Sequence, residues 1–291
     1  QYFFSQMHIN QQMLTDSLRE VNELKTQQDG DYYLTSLLIS PLIINTVKSP
    51  NATVEFFIRQ KKQFRFNNSS GAIGGDFCAA EFITLQGRRY AALMNADAMG
   101  KSIQGAAGAL VVGTILHLLF ERTRIMENYR SMLPERWLKN AYTELKAAFE
   151  TLDGRMQISF ILALYDEHTG TLYHINAEHP MAILVRNNDP QFLPAREVGA
   201  KLGSGREKDF LSITMTSLAA GDAVYFGSDG KDDILLTENR HEQTFNDDET
   251  FFLRLIQESK GDLDEIFRLS GSKGTVIDDY SLLKLQVLAI P

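Results

Sequence analysis

Apolar residues recur along the chain with two different periods. Over 7–28, Leu14, Leu18, Val21 and Leu24 return every three or four positions among charged neighbours, which predicts a helix with one narrow apolar stripe. Asp29, Gly30 and Asp31 read as a break, and 32–47 as a second helical stretch interrupted by Pro41. From 53 to 66, aromatic and β-branched residues flank Gln60, Lys61 and Lys62, the pattern of a strand, a turn and a short strand. Segment 89–94 is a buried-type strand ending at Asn95-Ala96-Asp97. A helix is expected over 103–125, where Gly105, Ala106, Gly108, Ala109 and Gly113 allow close approach to a sheet. Another is expected over 134–152, with Trp137, Ala141, Leu145 and Phe149 at i, i+4 spacing. Strands follow at 157–165, 171–176, 181–186, 210–217 and 222–226, the last two joined by a tight Ala219-Ala220-Gly221 turn. Helices at 248–259 and 262–270 and a strand at 280–288 close the chain. Strands and helices come in blocks rather than alternating, so the pattern predicts an α+β fold with antiparallel sheet, not a doubly wound parallel one.

Composition narrows the partners. An apolar share of 44% with 23% charged residues is that of a globular protein, and a net charge of −8 argues against nucleic acid, whose affinity rests on phosphate neutralisation. Cys78 is the sole cysteine, which excludes an internal disulfide and a CxxC metal knot and makes a cytoplasmic setting the expectation. The most membrane-like window, 103–120, is interrupted by Gln104 and His117 and reads as a buried helix, with His117 a hydrogen-bonded core residue and no membrane contact by this piece. The chain starts at Gln1 without an initiator Met, so the expectation includes its being the cytoplasmic part of a larger, membrane-anchored sensor. Residues 1–50 then form a helical linker or regulatory segment, and 51–291 the main domain.

Candidate chemistry sits where strands meet turns. Asp76 follows Gly74-Gly75, Asp97 lies in NADAMGKS, Asp229 in FGSDGK, and Asp278 with Asp279 in VIDDYS. Singly, each is ordinary turn chemistry. Together they form an oxygen-only donor set suited to Mg²⁺ or Mn²⁺, and two such ions side by side acidify a shared water for attack on phosphorus.

Five segments carry a resemblance: GGDFCA (74–79), DAMGKSIQGA (97–106), FILALYDEHTGTLYHINAEHP (160–180), LAAGDAVYFGSDGKDD (218–233) and DDYSLLKLQV (278–287). In this order they resemble the PPM metal-dependent serine/threonine phosphatases, in the bacterial SpoIIE/RsbU branch. The resemblance implies a four-layer αββα sandwich, two antiparallel sheets flanked by helices. It implies two Mn²⁺ or Mg²⁺ ions, with catalytic roles for Asp76, Asp97, Asp229 and Asp278 and metal ligands at Asp76, Asp97, Asp229 and the acid pair Asp278-Asp279; Asp97 bridges the ions and the Ala98 carbonyl is a further ligand. Of the acid pair, Asp278 is preferred to Asp279. The implied substrate is phosphoserine or phosphothreonine on a partner protein, of the STAS-type anti-sigma-factor-antagonist class, in partner-switching control of transcription. The helix over 7–28 offers a route to a homodimer.

Four positions depart from the family pattern: Ala79 replaces a second acid, Glu178 a glycine, Lys231 a hydrophobic residue, and Met99 the histidine of DGHG. His179 at a hairpin end reads as structural rather than as a proton relay, Cys78 as a small filler, Lys101 as a solvated lysine, and acids 247–249 as a helix start. Two alternatives stand beside the phosphatase: a catalytically silent module of the same fold that docks partners, and a two-metal nuclease or phosphodiesterase, which the acidic charge disfavours.

Overall fold

The computed structural model describes residues 2–193, 198–206, 212–239 and 242–291. Helix α1 (Tyr2–Ile39) runs for 38 residues through the expected break at Asp29-Gly30-Asp31. Packing overrides the local signal there. A Cβ on Gly30 would lie 3.0 Å from the ring of Phe66, and Tyr33 stacks on that ring at 5.7 Å. Pro41 ends the helix inside a 3-10 turn, Ser40–Leu42.

β1 (Ala52–Arg59) and β2 (Lys62–Phe66) form where the sequence places strands, but they do not pair. Gln60 and Lys61 turn the chain out of the main sheet. β2 joins β3 (Ser69–Ile73) as a separate ribbon against α1, with Phe64 buried, while β1 pairs along its length with the last strand. β4 (Asp76–Leu85) and β5 (Arg88–Ala98) follow, then α2 (Ile103–Ile125), a short α3 (Glu127–Arg130) and α4 (Pro134–Glu150). The next strands are β6 (Ile158–Asp166), β7 (Thr171–Ala177), β8 (Ile183–Arg186), β9 (Asp189–Phe192) and β10 (Val198–Gly199). After them come β11 (Thr214–Ser217), β12 (Ala223–Gly227), β13 (Ile234–Asn239) and β14 (Glu242–Phe245). Helices α5 (Phe251–Glu258) and α6 (Leu263–Lys273), β15 (Thr275–Val276) and β16 (Tyr280–Val287) complete the chain. The start of the strand expected at 210–217, and Pro194 in the loop before it, lie outside the described residues.

Two main sheets face each other. One has the order β10-β7-β6-β5-β4, with β11 also on β7, and the other β1-β16-β12-β8-β9; among the described strand pairings of these two sheets β10–β7 is the parallel one. Strand alternation divides the core: Ala92, Met94 and Ala96 of β5 face the helices, whereas Ala91 and Leu93 face the opposing sheet with Phe226, Leu283 and Leu285. On one outer face α2 and α4 pack Phe120 against Trp137, stacked at 6.3 Å. On the other, α5 and α6 cover Tyr225, Tyr280 and Leu282 with Phe252, Ile256 and Ile266. This is the expected αββα sandwich.

The turn at Ala219-Ala220-Gly221 does not close a hairpin. β11 pairs with β7 and β12 with β16 and β8, so the turn carries the chain from one sheet to the other. Asp222 pins the crossing, accepting from Ala219 N at 2.8 Å and from Arg186 Nε at 3.0 Å. α2 is long and apolar enough to cross a membrane by length and composition, yet half of its apolar window is buried in this fold. Its glycines meet the sheet as expected: a Cβ on Gly108 would fall 2.5 Å from that of Ala98. His117 is a correction, because it lies exposed on the solvent side of α2 rather than in the core.

Candidate metal centre

The antiparallel register of β4 and β5 sets Asp76 directly opposite Asp97, and the next register places Asp97 opposite Ser159 of β6. Asp97 therefore lies inside β5 rather than after it, because pairing with β6 continues to Ala98. The other sheet delivers its acids to the same end. β12 finishes at Gly227, and Asp229 opens the 3-10 turn Asp229–Lys231; Asp278 and Asp279 immediately precede β16. Asp229 lies close enough for its charge to act on Asp97, and the charge of Asp278 acts on both. The sandwich thus brings Asp76, Asp97, Asp229 and Asp278 to one place.

Asp76 is almost fully buried, with Ser228 Oγ donating to its Oδ2 at 2.6 Å. Asp279 has a different setting: its carboxylate accepts from Gly75 N at 2.9 Å and Lys61 N at 2.7 Å, clasping the turn that leads into β4. Gln60 reaches in from the β1–β2 turn and donates to the carbonyl of Asp76 at 2.7 Å.

Electrostatics mark this end of the sandwich. Burial, then the charge of Asp97, holds Asp76 well above the usual carboxylate range. Burial, then Asp229 and Asp278, pushes Asp97 up to about 7. Asp229 is raised by burial and then by Asp278, and Asp233, which the sequence did not single out, is raised by burial and then by Asp229. Carboxylates crowded in this way favour protons or cations among them.

The chemistry of the donor set suits hard divalent cations. All side-chain donors are oxygens, and Asp76 Oδ1 is buried with no hydrogen-bond partner among the described residues. Glycines keep the backbone open around it. A Cβ on Gly75 would stand 2.2 Å from the Ala98 carbonyl oxygen, and one on Gly74 2.1 Å from Asp279 Oδ2. Among the described residues no three acidic, histidine or cysteine side chains meet closely enough to form a ready-made ligand group.

The sequence matches, over residues 87–288, the family model described as Stage II sporulation protein E (SpoIIE). The chain belongs to the SpoIIE family. Its fold is that of the PPM-type (PP2C) serine/threonine phosphatases. The RsbU and RsbW domains of Rv1364c from Mycobacterium tuberculosis superpose with a TM-score of 0.59 at 19% identity, covering 83% of this chain and 61% of that one. The SiaA-PP2C domain of Pseudomonas aeruginosa gives 0.64 at 12% identity, covering 93% and 98%. The catalytic domain of the serine/threonine protein phosphatase PstP, solved with two manganese ions, gives 0.52 at 16% identity, covering 81% and 99%. No curated protein matches by sequence.

In this SpoIIE family chain a buried polar seam, absent from the sequence reading, supports the carboxylates. Ser281 N donates to Ser228 Oγ at 3.0 Å, and Asn95 Nδ2 donates to Ser281 Oγ at 2.9 Å. Asn95 Oδ1 meets His179 Nε2 at 2.7 Å, and His179 Nδ1 meets Ser159 Oγ at 2.9 Å. With Asn95 accepting, Nε2 carries the imidazole proton and Nδ1 accepts from Ser159. Burial lowers His179 to about 3, so it stays neutral, in accord with a structural role. Cys78, also against Asn95, is pushed up to about 12 by burial and remains a thiol filler. The family-pattern departures find local solutions. Glu178 keeps a left-handed backbone at φ 49° and accepts from Lys201 N at 3.3 Å. Lys231 is buried, its ammonium 5.3 Å from the centre of the Phe252 ring and paired with Asp232.

The raised carboxylates set a pH dependence for the metal-free protein. A folded-state value above the ordinary 3.8 means stability present near pH 4 is lost as pH rises towards about 7. In EDTA, Tm is expected to fall between pH 5 and pH 8 by roughly 5 °C. Mn²⁺ is expected to restore it, most at pH 8; scanning fluorimetry at both values checks this, and a flat apo profile speaks against the cluster.

Proposed function

We propose that the chain is a Mn²⁺- or Mg²⁺-dependent protein serine/threonine phosphatase whose two ions are held by Asp76, Asp97, Asp229 and Asp278, with the Ala98 carbonyl as a further donor. The observation that carries this reading is the meeting, at one end of the sandwich, of acids from both sheets, with Asp76 and Asp97 in direct cross-strand register. Bound divalent ions supply Lewis acidity towards phosphoryl oxygens and lower the pKa of water. The protein's part is to aim the acids. Asp97, opposite Asp76 on its own sheet and within reach of the charge of Asp229 from the other, would be a ligand shared by the acids of both sheets. Ser228 fixes the rotamer of Asp76, leaving Oδ1 as the free donor. Asp279, occupied by two backbone amides, acts as a clasp, which favours Asp278 as the ligand of the pair.

The substrate of this reading is a phosphoserine or phosphothreonine protein, of the STAS-type antagonist class in the family's partner-switching systems. The working division is a regulatory 1–50 and a catalytic 51–291, in a cytoplasmic setting. Mn²⁺-stimulated release of phosphate from p-nitrophenyl phosphate and from phosphoserine peptide tests it. No turnover with measurable Mn²⁺ binding would leave a silent docking module.

On α1, Leu14, Leu18, Val21 and Leu24 are all more than half exposed along one stripe, which supports a homodimer through this helix. Light scattering is expected to give a dimer mass for the full chain and a monomer for Leu14→Glu/Val21→Glu. A monomer in both removes the idea.

A further inference from the structure

Beside the carboxylates, a cleft of about 960 Å³ opens between α1 and the β2–β3 ribbon. Lys25 comes from the helix side, and Arg59, Lys62 and Arg65 from β1 and β2. Asp29 is the lone acid in the lining. In a chain of net charge −8 this is a local reversal of sign, and among the described residues none of the four cations is paired with a carboxylate. Two are seated against aromatic rings: Lys62 Nζ lies 5.6 Å from the centre of Tyr32, and Arg59 Cζ 5.3 Å from that of Phe267.

The cleft shares a wall with the metal centre. Gln60 lines it, donates to the Asp76 carbonyl, and has a buried Oε1 with no partner among the described residues. Lys61, the next residue, holds Asp279 through its backbone amide. A phosphorylated side chain seated at the acids therefore has its flanking polypeptide beside Arg59, Lys62 and Arg65. The residues at 70–72 along the cleft are small, leaving room for an extended segment.

We propose that this cleft binds an acidic stretch of the substrate protein next to its phosphorylated residue, so that Lys25, Arg59, Lys62 and Arg65 select acidic-flanked phosphosites. The proposal rests on the phosphatase reading for its substrate, and it adds a specificity determinant outside the metal ligands. Four cations and one carboxylate in the lining favour an anionic segment, and exposed charges of this kind act through KM and salt dependence more than through kcat.

The test uses the full chain and the variant Lys25→Gln/Lys62→Gln/Arg65→Gln, which leaves Gln60, Lys61 and every acid in place. Substrates are p-nitrophenyl phosphate and two phosphoserine peptides of equal length, one with Asp/Glu flanks and one with Ser/Ala flanks. Wild type is expected to prefer the acidic peptide about tenfold in kcat/KM, with the preference shrinking between about 50 and about 300 mM salt. The variant is expected to raise KM for the acidic peptide about tenfold, with kcat, the neutral peptide and p-nitrophenyl phosphate unchanged. No preference in wild type, a preference that survives in the variant, or an equal loss on all three substrates overturns the proposal. Fluorescence anisotropy with the labelled acidic peptide separates the two readings. Wild type that binds this peptide through the three cations yet never hydrolyses p-nitrophenyl phosphate sinks the phosphatase and keeps the cleft. Competition by anionic vesicles or single-stranded DNA as strong as that by the unlabelled peptide overturns the assignment to a polypeptide.

Discussion

Replacing Asp97 by Asn is expected to abolish metal-stimulated phosphate release, by about 100- to 1000-fold or more, while making the metal-free protein more heat-stable at pH 8. Both effects have one origin. Asp97 is held up to about 7 by burial and by Asp229 and Asp278, so above that pH its charge is forced upon a site that disfavours it. Asparagine keeps the shape but never carries the charge, which relieves the repulsion and removes an anionic side chain from the site. The metal-free Tm at pH 8 then rises, and the Mn²⁺-induced increase in Tm shrinks or disappears. Turnover is followed with p-nitrophenyl phosphate, and Tm by scanning fluorimetry with and without Mn²⁺. Wild-type turnover together with a wild-type Mn²⁺ shift would remove Asp97 from the centre.

Gly75→Ala is expected to weaken Mn²⁺ binding by roughly 10- to 100-fold although no ligand is changed. The added methyl would sit 2.2 Å from the Ala98 carbonyl oxygen and 3.1 Å from its carbon. Neither atom can swing away as a side-chain tip can. Relief requires the start of β4 to part from the end of β5, stretching the Ala98 N to Gly75 O bond of 3.1 Å and the clasp from Gly75 N to Asp279. The displaced strand ends carry Asp76 and the Ala98 carbonyl, so both proposed donors move, at a cost in stability of about 1–3 kcal/mol. Gly87→Ala is the control. It sits at the far end of the same hairpin with φ +74° and no atom within 4 Å of the added Cβ, so it loses backbone freedom and leaves Mn²⁺ titration by calorimetry unchanged. Equal Mn²⁺ affinities for the two variants would contradict the cradle.

The sequence made the framework legible because periodicity reports burial directly. α2 begins and ends at the expected residues 103 and 125, and β6, β7 and β16 are within a residue or two of expectation. Local signals failed where distant packing decided. Gly30 reads as a helix break until the Phe66 ring fills the space beside it, and the expected hairpins at 53–66 and 219–221 prove to be exits from one sheet to another. No short window shows which strand a neighbour will choose. The acids were legible because each sits at the junction of an apolar run with a glycine or polar turn. Their supports were not: Asn95, Ser159, Ser228 and Ser281 are ordinary polar residues, and they become a seam only when β5, β6, β12 and β16 are stacked. His117 shows the converse error, because an apolar neighbourhood in sequence did not place that helix face in the interior.

The seam from Asp76 through Ser228 and Ser281 to Asn95 ties the two sheets together a few ångströms from the acids, each of which is rooted in only one of them. Interlocking apolar side chains resist separation of the layers far better than they resist a small shear, whereas a chain of directional bonds tolerates neither. On the proposed phosphatase reading, phosphoryl chemistry is tied to the alignment of two slabs, and whatever nudges one slab along the other, from either outer helical layer, would act on turnover before it touched the fold.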